Sequence, residues 1–263
     1  MAKIHYFNIP AHGHVNPGMP VVQELIRRGH QVTVYCTEEL RAAVEQSGAT
    51  FAAYPGSISA AQIAAATKRL ARLGPVLIGY CHELVPFALE EIRREQPDLV
   101  MADSMATWAR IASRVTGTPT VISYTMLVLG GTGLKFGRRN TVRLTLDALP
   151  TLRPMKRHKA ELAAAYGADA VAEPLVPARG DRTISFVAPQ FQPETPRIDE
   201  TFVLLGPSVA QDARGVEAWE PPAGDGPLVY ISLGTVNYKT LPFYREVFKA
   251  FGDYPARFML TTG

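Results

Sequence analysis

The chain has 263 residues, 47% of them hydrophobic, and a formal net charge of +3. That length buries one large core or two small ones. So small a charge, with no concentrated basic face, argues against a nucleic-acid binder. No apolar run reaches the ~18 residues of a membrane span, and "MAKIHYFNIP" is not a secretory leader. Cys36 and Cys81, the only two cysteines, sit in apolar contexts and read as buried thiols of a reducing compartment. The expectation is a soluble, cytoplasmic protein with neither nucleic acid nor membrane as a partner.

Residues 3–9, "KIHYFNI", read as a strand that ends at "PAHGHVNPGMP". There Gly13 permits a turn, and Asn16 and Pro17 read as the N-cap and first-turn proline of a helix. Val22, Leu25 and Ile26 form its apolar stripe, and Gly29 closes it. A strand at 31–37, a helix at 38–48 and a strand at 50–55 follow. This β-α-β-α-β order predicts a parallel sheet with helices on its faces. The stretch 57–96 is alanine-rich and mostly helical, with a proline that can bend it. "DLVMAD" (98–103) is a buried strand, 104–117 its helix with Ser104 as N-cap, and "PTVISYT" (119–125) the next strand.

The glycine-rich "LGGTGLKFGRRN" (129–140) lacks the spacing of a phosphate loop and reads as a surface loop. Helix occupies roughly 141–170, within which "RPMKRHKA" (153–160) reads as a solvated helix start rather than a phosphate site. Short strands follow at 182–188 and 201–206. Residues 207–226 are rich in Pro, Gly and Ala and read as a linker. Beyond it lie a strand ("PLVYISLGT", 227–235), a helix (238–254) and a strand (255–263). A β-α-β unit this short cannot bury its own core. The expected organisation is therefore a doubly wound α/β, Rossmann-like domain over 1–206, a linker over 207–226, and over 227–263 the first unit of an incomplete second α/β domain.

In an open parallel sheet, ligands bind beyond the carboxyl ends of the strands, where strand order reverses. His14 lies just past the first strand and Asp103 ends the strand 98–103. A strand order 3-2-1-4-5 brings the two to one crevice. There the carboxylate can fix the imidazole tautomer while the other ring nitrogen takes a proton from a hydroxyl. A neighbouring helix N-terminus disfavours the imidazolium, and Asp103 favours it. No G-x-S-x-G elbow is present, so the hydroxyl is a substrate's. The plainer alternatives are a turn histidine at 14 and a helix-capping aspartate at 103. His12 reads as structural, and His12 with His14 lacks a third ligand at recognisable spacing, so no metal is expected. Gly234 and Thr235 begin a helix after a strand, which suits an anion or an ordinary tight turn. No GxGxxG is present, which speaks against a nicotinamide oxidoreductase.

"PAHGHVNPGMPVVQELIRRGHQVTVYCT", "PDLVMADSMATWARIASRVTGTPTV", "FQPETPRIDETFVLLGPSV" and "PLVYISLGTVNYKTLPFYREVFKAF" resemble, in order, segments of macrolide-type, UDP-dependent glycosyltransferases of glycosyltransferase family 1. These have two facing Rossmann-like domains, the GT-B architecture. The resemblance implies His14 as catalytic base and Asp103 as its partner in inverting transfer of a sugar, glucose from UDP-glucose, to a hydroxyl of a macrolide, flavonoid or other polyphenol. It implies acceptor contacts from the segments near 57–90 and 124–150, with Asn16, Met105, Trp108, Thr125 and Met126 among them. Gly13, Ser232, Gly234 and Thr235 would meet the donor. The partners are then a small-molecule acceptor and a nucleotide sugar, a co-substrate rather than a cofactor. Nothing here matches the family's His-Cys-Gly-Gly-like donor turn. The expectation is a truncated chain that needs the missing half, or self-association through its incomplete domain, and has little activity alone. The competing reading is a non-catalytic, glycosyltransferase-like binding module.

Overall fold

The computed structural model describes residues 1–56, 58–67, 70–128, 138–172, 177–208, 220–221, 223–234 and 240–261. Strand β1 (Lys3–Phe7) is buried at four consecutive positions, as expected of a strand covered on both faces. It is central: β2 (Gln31–Cys36) pairs on one side and β4 (Leu99–Asp103) on the other, both parallel. β3 (Thr50–Ala53), β5 (Thr120–Tyr124), β6 (Arg182–Ser185) and β7 (Phe202–Leu204) complete a seven-stranded sheet in the order β3-β2-β1-β4-β5-β6-β7. The order reverses at β1 and β4, as the sequence reading requires.

Helices cover both faces. On one lie α4 (Ala60–Thr67), α5 (Leu70–Glu95) and α6 (Thr107–Thr116), around a core holding Leu77, Leu84, Trp108 and Ile111. On the other, α1 (His12–Val15), α2 (Met19–Arg27) and α3 (Arg41–Glu45) cover Tyr6, Val15, Val22, Val34 and Val44. α7 (Arg138–Tyr166) packs along α5. Gly29 and Gly117 adopt φ +85° and +71° just past α2 and α6, where a Cβ would be strained. Both cysteines are buried and free, and burial pushes the Cys36 thiol up to about 12.

Three local expectations change. The helix after β1 starts at His12, with extended Ala11 before it. Asn16 ends that single turn and opens a 3-10 turn (Asn16–Gly18) instead of capping with its side chain. Pro17 fits early in the 3-10 turn because it needs no amide donor there. Gly13 lies inside the turn without positive φ, so its conformation does not demand glycine. Ser104 does not cap α6: the helix starts at Thr107 after Ala106, and no side chain caps it. "RPMKRHKA" lies well inside α7, not at a helix start.

Residues Met1–Arg214 and Gly215–Gly263 form two separate compact units. Most of the expected linker (209–219 and 222) and most of the glycine-rich stretch (129–137) lie outside the described residues. In the second unit, β8 (Leu228–Ser232) pairs parallel with β9 (Arg257–Thr261). α8 (Leu241–Phe251) buries Tyr244 and Val247, and the Tyr244 hydroxyl donates to the Thr261 carbonyl at 3.0 Å. α8 begins at Leu241, with Pro242 in its first turn, and not at Gly234. Among the described residues no helix is long and apolar enough to cross a membrane.

Candidate active site

The site forms where β1 and β4 end side by side, with Phe7 opposite Ala102 and Asp103 opposite Ser123 of β5. Asp103 is fully buried. Its Oδ1 accepts the Met105 N–H at 2.8 Å, an aspartate turn that locks the carboxylate in the loop between β4 and α6. Its Oδ2 accepts the His14 Nδ1–H at 2.8 Å. Thr125 Oγ1, just past β5, lies 3.0 Å from the same nitrogen and shares its hydrogen. The His14 side chain is 19% exposed. Among the described residues nothing hydrogen-bonds its Nε2, which leaves that nitrogen to a ligand.

A single turn of helix cannot hold such geometry by itself, so the loop before it is tied down. The Trp108 indole N–H donates to the Tyr54 hydroxyl at 3.3 Å, and Tyr54 donates to the Asn8 carbonyl at 2.9 Å. The Asn8 N–H donates to the Tyr35 carbonyl at 3.0 Å. Phe7 stacks on Tyr35 with ring centroids 4.3 Å apart. On the opposite face the Tyr6 and Ser123 hydroxyls bond at 2.8 Å, and the Tyr6 ring lies against Gly18.

Two influences oppose each other at His14. Burial lowers its pKa, while the charge of Asp103 and the hydrogen bond to it raise the value; the net result lies above the ordinary 6.5. The carboxylate therefore wins, and the charged imidazolium is favoured inside the fold. That suits a base, because the proton it accepts leaves it in a stabilised form.

The structure thus brings His14, Asp103 and Thr125 together. Gly13 is exposed beside them, and a Cβ there would meet nothing within 4 Å. Asn16 and Met126 are half-buried. Met105 anchors Asp103 through its backbone and is itself in the core. Trp108 is fully buried, so it supports the wall of the site and presents no surface to an acceptor. Ser232 and Gly234 belong to the second unit. Gly234 has φ +68°, and its N–H donates to Ser232 Oγ at 3.1 Å. Thr235 lies outside the described residues. No local sequence motif announces the tether through Tyr54 and Asn8, whose partners lie 46 positions apart.

This strand order, reversing between β1 and β4, is that of a doubly wound, Rossmann-like α/β domain, with a His–Asp pair at its switch point. The comparisons find the chain similar to proteins named glycosyltransferases. It is 27% identical over 266 residues to the NDP-glycosyltransferase YjiC of Bacillus subtilis, covering all of this chain and 66% of that protein. It is 27% identical over 259 residues to the oleandomycin glycosyltransferase of Streptomyces antibioticus, covering 97% of this chain and 59% of that one. The solved glycotransferase of kitacinnamycin superposes with a TM-score of 0.80 at 22% identity, over all of this chain and 66% of that one. The chain therefore spans about two thirds, or somewhat less, of the length of these relatives. No family model matches it.

Proposed function

We propose that the chain is the acceptor-binding part of an inverting glycosyltransferase that moves a sugar from a nucleoside diphosphate to a natural-product hydroxyl. The observation that carries this reading is the His14–Asp103 bond of 2.8 Å, with Nε2 left open at the switch point. In the proposed reaction, Nε2 takes the proton of the acceptor hydroxyl. The freed oxygen pair forms a bond to the anomeric carbon from the face opposite the leaving group. The bond from that carbon to the diphosphate oxygen breaks, and the diphosphate departs with its electron pair. Asp103 holds the Nδ1–H tautomer beforehand and stabilises the imidazolium afterwards.

Thr125 and Met126, with the exposed backbone at Gly13 and the half-buried Asn16, are the proposed contacts at the mouth of this site. Ser232 and Gly234 are the proposed donor contacts in the second unit. UDP-glucose is the proposed donor, and a macrolide or flavonoid the proposed acceptor.

The test joins this chain to the carboxy-terminal third of a relative such as the Bacillus subtilis enzyme. UDP-glucose and dTDP-glucose are offered with a panel of macrolides and flavonoids. Product is expected, with inversion at the anomeric carbon, and His14→Ala is expected to lower kcat by about 10²–10⁴-fold. Turnover equal in wild type and His14→Ala removes the assignment of the base. Acceptor binding unchanged by His14→Ala, without turnover by any chimera, supports a binding module instead.

A further inference from the structure

The run "RPMKRHKA" has no part in the proposed reaction, yet it carries His158 on α7, with Glu161 one turn later. Residues three apart share a helix face. Across the packing seam, α5 presents His82. His82 Nε2 lies 2.9 Å from His158 Nδ1 and 3.5 Å from Glu161 Oε2, and His158 Nδ1 lies 3.7 Å from that same oxygen. Three ligand-type atoms thus mark a triangle whose sides bracket one length.

A tetrahedral zinc ion with bonds of about 2.05 Å places its ligand atoms about 3.3 Å apart. The triangle matches one face of that tetrahedron. The side chains are between 25% and 45% exposed, so water can reach the cluster and supply a fourth ligand. The other carboxylate oxygen of Glu161, Oε1, lies 3.1 Å from Arg157 Nε, which holds the group with Oε2 turned to the histidines.

We propose that His82, His158 and Glu161 bind a divalent transition-metal ion, zinc foremost, which clamps α5 to α7. The ligand set, two imidazoles and a carboxylate, suits zinc over magnesium or calcium. The site is separate from His14 and takes no part in its chemistry. Its effect is structural: α5 and α7 carry much of the segments 57–90 and 124–150 that the sequence reading assigns to the acceptor, and the clamp fixes one against the other. Protons compete with the ion for its ligands, so binding weakens as pH falls.

The untagged 263-residue chain is titrated with Zn²⁺ by calorimetry and with Co²⁺ by visible absorption. One ion per chain is expected, with micromolar affinity and the intense bands of four-coordinate cobalt. His82→Ala and His158→Ala are each expected to weaken binding at least about tenfold, as these remove direct ligands and loss of an outer partner already costs about 10–100-fold. Saturating zinc is expected to raise the thermal midpoint of wild type, but not of His82→Ala, by about 5 °C. His12→Ala/His14→Ala is expected to keep the site. Equal binding by wild type and His82→Ala overturns the proposal. So does binding lost in His12→Ala/His14→Ala but kept in His82→Ala, or no saturation below millimolar zinc.

Discussion

The carboxylate of Asp103 and the imidazole of His14 meet at 2.8 Å although the residues lie 89 positions apart, and the carboxylate is fully buried. The interaction raises the His14 pKa against the opposing effect of burial. In Asp103→Asn the burial remains and the opposing charge is gone, so the His14 pKa is expected to fall below that of wild type. Histidine ring NMR against pH checks this on the chain itself. A His14 that still titrates above 6.5 in Asp103→Asn contradicts the assignment. In an active chimera the same substitution is expected to cost about 10²–10⁴-fold in kcat.

Two histidines give stability opposite slopes against pH. The folded-state pKa of His14 is raised, so its contribution is complete below about 6.5 and is lost as pH climbs through the folded value. His5 is buried, and desolvation lowers it to about 4 against the weaker pull of Glu91. Its contribution is complete above about 6.5 and is lost as pH falls toward 4. Denaturant midpoints measured across pH are expected to fall on both sides. His14→Gln should flatten the alkaline slope and leave the acid one.

A Cβ at Gly18 would lie 2.5 Å from the Tyr6 hydroxyl and 2.8 Å from the ring carbon beside it. Both residues sit in the tightly packed wall beneath α2. Gly18→Ala is expected to destabilise the chain by about 1–3 kcal/mol through overpacking. Chemical denaturation measures this. A stability equal to wild type would mean that the Tyr6 ring can shift without penalty.

Trp108→Phe keeps an aromatic ring but removes the donor to Tyr54. The expected loss is about 1–2 kcal/mol, from a broken buried hydrogen bond and a small void. Because Tyr54 holds the Asn8 carbonyl, the loop before His14 should also loosen. Amide hydrogen exchange over residues 8–15 is expected to accelerate more than exchange in β3.

Much of this was legible in the sequence because the informative signals are local. Strand–helix alternation gave the parallel sheet, and position at strand ends placed His14 and Asp103 at the switch point. The details that escaped depend on contacts distant in sequence. Trp108 looks like an exposed aromatic for a ligand, and only packing against Tyr54 shows it to be core. Asn16-Pro17 resembles a helix start, but the chain already turns at His12, where bonds to Ala11 begin the helix. The triangle joins His82 to a pair on α7 at least 76 positions away, a match that only packing of α5 on α7 reveals.

His14, the proposed base, rides on a four-residue helix, too brief to persist without the scaffold under it. Its aim is thus inherited from the β1–β4 seam and the polar tether through Tyr54. The segments proposed to meet the acceptor lie in other parts of the chain, on α4, α5 and the region after β5. Mutations on α4 and α5 can reshape what is accepted without steering the imidazole off target, whereas Thr125, just past β5, touches it directly. A lineage built this way can explore new small molecules while its proton chemistry stays constant.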